Sequence, residues 1–99
     1  METSFEISLN MKTIKGLETY ASFYLGRNEK FAKGLFDLMQ GEREIKENSV
    51  ISMDLTKRQN GIPYPISILH CNWEHLAYNT KIITKEVFKE LNLEQNGSL

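Results

Sequence analysis

A chain of 99 residues, 40% apolar and 25% charged, is sized for one domain with a modest core. Twelve basic residues against thirteen acidic ones leave a net charge of -1, without the positive excess that nucleic-acid binding needs. No apolar run approaches the ~20 residues that cross a bilayer, the opening METSFEISLN lacks a secretory pattern, and one cysteine cannot form an internal disulfide, so a cytoplasmic protein without membrane contact is expected.

The first element is a strand. Phe5, Ile7, Leu9 and Met11 alternate with Glu6, Ser8, Asn10 and Lys12, the period of a half-buried strand. A second strand is expected over 17–25, with Leu17, Thr19, Ala21, Phe23 and Leu25 on one side and Glu18, Tyr20, Ser22 and Tyr24 on the other. A two-residue loop between them would mix the faces. A three-residue loop, Ile14-Lys15-Gly16, sets Phe5 opposite Leu25, Ile7 opposite Phe23 and Leu9 opposite Ala21, with the left-handed position on the glycine.

A helix follows, with Asn28 as N-cap, Glu29 in its first turn, an apolar stripe of Phe31, Leu35, Leu38 and Met39, and Gly41 as its end. Gly34 lies inside it, which suggests a close approach to the sheet. After a charged connector, Ile51, Met53 and Leu55 alternate with Ser52, Asp54 and Thr56. Asn60-Gly61 predicts a type I′ hairpin turn. Carried forward, that register puts Leu55 opposite Ile66, Met53 opposite Ile68 and Ile51 opposite His70. Pro63 and Pro65 cannot donate to a ladder, so this fourth strand is expected at an edge or with a ragged start.

From Asn72 the period changes. Wound at about 100° per residue, Trp73, Leu76, Ala77, Thr80, Ile83, Thr84, Val87, Phe88 and Leu91 fall in one arc. One long helix is expected, with Thr84 the place where a second could start. The order β-β-α-β-β-α predicts an α+β fold: a four-stranded antiparallel sheet with two helices packed on one face. The domain is expected over 1–91, with a frayed tail over 92–99.

The stretch LHCNWEH, residues 69–75, gathers both histidines, the cysteine, the tryptophan and an acid. Consecutive strand residues point to opposite faces, which separates His70 from Cys71. Asn72 is the expected cap of the last helix, Trp73 its anchor in the core, and His75 lies about 160° from Trp73, toward solvent. Donors that diverge in this way do not make a metal site. No GxGxxG, P-loop, HExxH, EF-hand loop or GxSxG occurs, so no cofactor is expected, and the chain reads as non-catalytic. The alternative is a small-molecule-binding protein or modest enzyme with its pocket where strand four enters the last helix, and His70, Cys71 and His75 as its polar groups.

The sheet face away from the helices is expected to carry Tyr20 and Tyr24 above Glu6, Ser8, Asn10, Ser22, Ser52, Asp54, Thr56 and Ser67, together with Val50, Leu69 and Cys71. Tyrosines on an open face suit a protein interface. The leading expectation is a small interaction module that forms a homo-oligomer, or binds a protein partner, through this face or an edge strand.

Overall fold

A computed structural model describes residues 2–45 and 49–93. The elements run β1 (Thr3–Thr13), β2 (Gly16–Gly26), α1 (Glu29–Leu38), β3 (Ile51–Gln59), β4 (Ile62–Cys71) and α2 (Trp73–Phe88), ending in a π-helical turn, Lys89–Leu93. The sheet is antiparallel, in the order β2-β1-β3-β4. The α+β architecture is the one the alternating patterns predict. From residue 94 on, the expected tail lies outside the described residues.

The core forms on one face. Phe5 and Ile7 of β1 and Met53 and Leu55 of β3 meet Leu25, Ala32, Leu35, Phe36 and Ile83. Both helices therefore cover the side that bears the odd-numbered residues of β1 and β3. The β1–β3 ladder pairs Ile7 with Leu55 and Leu9 with Met53, which keeps large apolar side chains together on the two central strands.

The first hairpin differs from expectation near its turn. Pairing begins at Thr13 with Gly16, so the loop is Ile14-Lys15, two residues rather than three. Gly16 still takes the positive φ that favours glycine, +110°. The Thr13 hydroxyl donates to the Gly16 carbonyl and the Lys15 N–H donates to the Thr13 hydroxyl, which holds the short turn closed. A bulge then leaves Tyr20 without a partner between Asn10–Thr19 and Leu9–Ala21. The extra residue offsets the shorter loop, so Leu9–Ala21 and Ile7–Phe23 pair as expected. Before the bulge the faces are exchanged, and Leu17 sits opposite Lys12 on the outer face. A second bulge at Leu25 pairs Phe5 with Gly26 instead of Leu25.

The second hairpin carries the larger correction. Asn60 and Gly61 adopt φ of 54° and 84°, the expected I′ turn, and Gln59 pairs with Ile62. Beyond Thr56–Pro65 the ladder resumes at Leu55–Ser67, so Ile66 is extra. Pro65 lacks the N–H that a regular ladder would use, and the strand bulges where that donor is missing. Every later side chain moves to the other face. Leu69 and Cys71 enter the core, and His70 and Ile68 join the outer face. Ser67 also faces the helices. The expected outer-face places of Ser67, Leu69 and Cys71 are therefore overturned, as is the core place of His70.

Helix α1 starts at Asn28, whose side chain accepts from the Phe31 N–H at 3.1 Å. Its buried stripe is Ala32, Leu35 and Phe36, continued by Met39, while Leu38 is exposed. The helix ends at Met39, before Gly41. Gly34 has open space beside it, so no close approach explains that glycine. The close approach is at Gly41. A Cβ there would lie 3.1 Å from the His70 carbonyl oxygen and 3.1 Å from the Leu69 Cβ, at a φ of +155°. The chain needs that proximity because Glu42 pairs with His70 along the edge of β4, with both N–H···O distances at 2.8 Å.

Helix α2 is continuous. The Thr84 hydroxyl donates to the Thr80 carbonyl at 2.9 Å rather than starting a second helix. Its buried positions are Asn79 and Ile83, with Leu76, Ile82 and Val87 packed beside them. Trp73 is 65% exposed and does not anchor the core. Gly41→Ala is expected to destabilise the protein by about 1–3 kcal/mol, read as a lower midpoint in thermal unfolding. Gly34→Ala, in open space on the helix, is expected to leave the midpoint unchanged or raise it.

Candidate functional site

The residues of LHCNWEH surround one end of the sheet. A cavity of about 340 Å³ opens where β4 passes into α2, lined by Glu42, Val50, His70, Cys71, Trp73 and His75 among others. The three candidate ligand groups thus border one space. Two of them, Cys71 and His75, are already engaged within the fold. Cys71 Sγ lies 3.7 Å from the Gln40 carbonyl and 3.6 Å from Asn79 Nδ2. Burial pushes its thiol up to about 11, and the Asn79 contact offsets only part of that rise. A thiol so protonated at neutral pH is a poor nucleophile.

His75 has a structural task. Asn72 Oδ1 accepts from the His75 N–H at 2.7 Å, and the His75 ring Nδ1 accepts from the Asn72 N–H at 3.2 Å. This is a capping box in which histidine takes the place usually held by glutamate or glutamine. The ring is half-buried rather than directed wholly to solvent. Glu42 and Glu74 flank the same helix start, which disfavours an anion there. Among the described residues, no group of three histidine, cysteine or acidic side chains is placed to hold a metal ion.

On the outer face the polar residues form a connected set. The Thr19 hydroxyl donates to Asn10 Oδ1 at 2.7 Å, and Asn10 Nδ2 approaches Ser52 Oγ at 3.5 Å. Asn10 and Ser52 are buried although no helix covers this face. Asp54 lies on the same face, two residues beyond Ser52, and its Oδ1 is buried with no hydrogen-bond partner among the described residues. Burial raises the Asp54 carboxyl above its ordinary value, while Asn10, His70 and Ser52 offset part of the rise. Next to this set, Leu17, Val50, Ile68 and His70 border a second hollow of about 300 Å³.

Asp54 and Asn10 were legible only as polar members of alternating strands. The available signal is that aspartate is disfavoured in the middle of a strand, so its presence there asks for a reason. The tyrosines behave differently from each other. Tyr24 pairs with Glu6 on the outer face, whereas Tyr20 is the unpaired residue of the bulge. Both are exposed, at 55% and 58%. No protein-family model, curated protein or solved structure matches the chain, so function rests on these groups alone. Among the described residues, no helix is long and apolar enough to cross a membrane.

A carboxyl whose pKa is higher in the folded state takes up a proton that the unfolded chain releases, at pH values between 3.8 and the raised value. Asp54 therefore favours folding at acid pH and opposes it increasingly as pH rises through that window. Asp54→Asn is expected to melt above the wild type at pH 7, with the difference shrinking toward pH 4. Equal melting points at both pH values would contradict this account of the buried carboxyl.

Proposed function

We propose that the protein is a small self-associating interaction module that pairs with a second copy through the edge of β2. The observation that supports this reading is an asymmetry between the two sheet edges. The edge of β4 carries Pro63 and Pro65 in its first half, and Glu42 pairs with His70 in its second. The β2 edge spans 11 residues, and among the described residues no backbone outside β1 pairs with it. Unpaired edge amides and carbonyls are a template for another strand.

The two bulges limit where a second copy would add. Regular pairing of β2 with β1 is broken into two four-residue stretches, 16–19 and 21–24, on either side of Tyr20. Ladders so short contribute little area, and a stable interface buries about 1,200–2,000 Å² in total. Tyr20, at the break between the two stretches, and Tyr24, at the end of the second, supply large, stiff, exposed side chains at low entropy cost. Leu17 lies on the same strand, is 65% exposed, and extends the apolar contact. The same asymmetry gives the module a defined stoichiometry: a twofold pair uses both free edges and leaves only the blunted β4 edges outside.

Ligand binding at the β4–α2 junction has less support as a reading, because Cys71 and His75 are occupied by Gln40 and Asn72. The edge proposal is tested by light scattering coupled to size exclusion. The wild type is expected to run as a dimer. Tyr20→Ser combined with Tyr24→Ser is expected to shift it to monomer at the same concentration, with the circular dichroism spectrum retained. A wild type that stays monomeric at high concentration contradicts the proposal.

A further inference from the structure

The second hollow of the outer face lies beside the β2 edge and shares only Leu17 with the contact proposed there. Its walls are apolar: Leu17 from β2, Val50 at the start of β3 and Ile68 from β4, all exposed to solvent. Ile45 stands at the rim, also exposed. Asp54 and His70 supply polar atoms, and Lys12 borders the same space. The volume, about 300 Å³, is at the small end of ligand cavities.

The unusual feature is the carboxyl of Asp54. Oδ1 is buried and has no donor among the described residues. Thr19 donates to Asn10, Asn10 donates toward Ser52, and Asn10 and Ser52 also hydrogen-bond the Asp54 carboxylate, yet Oδ1 itself receives none of these bonds. A buried carboxylate oxygen without a donor is unfavourable, and burial of polar groups without partners is rare in native proteins. The aspartate χ2 torsion is soft, so a small rotation presents either oxygen to the hollow. What would satisfy this group is an N–H donor, best a cationic one, attached to an apolar body that fits between Leu17, Val50 and Ile68.

We propose that this hollow binds a small amphipathic amine, with its ammonium on Asp54 and its hydrocarbon against Leu17, Val50 and Ile68. Val50 and Ile68 explain the preference for an apolar body, since a polar ligand would leave them wet. Asp54 explains the preference for charge, since a neutral hydrocarbon would leave its oxygen unpaired. His70 closes the side of the hollow away from β2, and its backbone is fixed there by Glu42. The placement of His70 and Ile68 on this face follows from the bulge at Ile66, so the site exists because the strand slips by one residue.

Phenethylamine is a suitable probe, with N-acetylphenethylamine as the uncharged control. A ligand of about nine heavy atoms at ordinary ligand efficiency binds near 10 mM or somewhat tighter, which nuclear magnetic resonance titration resolves. Saturable shifts are expected at the amides of residues 50–54 and 66–70. The control is expected to bind at least about tenfold more weakly, as is phenethylamine to Asp54→Asn, because each lacks one member of the ion pair. Ile68→Ser, at an exposed wall position on β4 away from the β2 edge, is expected to weaken binding as well. Absence of saturable shifts in the wild type, or equal binding by Asp54→Asn, overturns the proposal. Loss of binding with intact dimerisation separates this site from the β2 edge.

Discussion

Asn79 joins α2, the connector after α1 and the sheet through a single side chain. It is wholly buried in α2, and its amide closes a two-way pairing with the backbone of Gln40: the Gln40 N–H donates to Oδ1 and Nδ2 donates to the Gln40 carbonyl, both at 2.7 Å. The same Nδ2 lies 3.6 Å from Met53 Sδ and 3.6 Å from Cys71 Sγ, on the central and edge strands beneath. A polar side chain in that position is costly unless its donors and acceptor are all used. Here they are used to hold the residue that follows the end of α1. Gln40 leads directly to Gly41 and Glu42, whose pairing with His70 caps the edge of β4. The helix, the connector and the sheet edge therefore share one anchor.

The second constraint is the placement of three bulges. Tyr20 and Leu25 in β2, and Ile66 in β4, each insert one residue into an otherwise regular ladder. A single inserted residue reverses the faces of everything beyond it. In β2 the two insertions keep Ala21, Phe23 and Leu25 toward the helices while releasing Leu17 outward. In β4 the insertion sends Cys71 inward, to within reach of Asn79, and His70 outward, toward Asp54. The chemistry of LHCNWEH is thereby split between a buried structural half and an exposed half, and neither half alone assembles a catalytic set.

Much of the fold was legible in periodicity. The alternation in β1 and β3, the Asn-Gly turn, and the caps at Asn28 and Asn72 depend on local physics, and each forms as the residues predict. The errors share one cause. Pairing register is a property of two strands together, and the position of a bulge depends on which missing donor or crowded side chain the ladder accommodates. Pro65 signals trouble in β4, but its side-chain pattern does not say on which residue the ladder slips. The α2 stripe was misplaced for a related reason: its buried face centres on a polar residue, Asn79, which an apolar count passes over, while the exposed Trp73 and Phe88 draw the arc toward themselves.

The outer face was harder to read because its polar residues are buried although neither helix packs on that side. Asn10, Ser52 and Asp54 follow the alternation of solvent-facing residues and yet lose most or part of their contact with water. Local sequence carries no mark of that enclosure. Ile45, Val50 and Leu17, from segments distant in the chain, line a hollow beside these residues, and no local pattern marks that they meet there.

Native-state hydrogen exchange of the wild type and of Asn79→Ala tests the Asn79 anchor most directly. Loss of the two hydrogen bonds corresponds to about 2–4 kcal/mol locally, or roughly a thirtyfold or greater fall in protection. The account predicts that the Gln40, Glu42 and His70 amides lose protection by more than the strand amides of β1 and β3. Equal loss at every amide, or unchanged protection at Gln40 and Glu42, would contradict it.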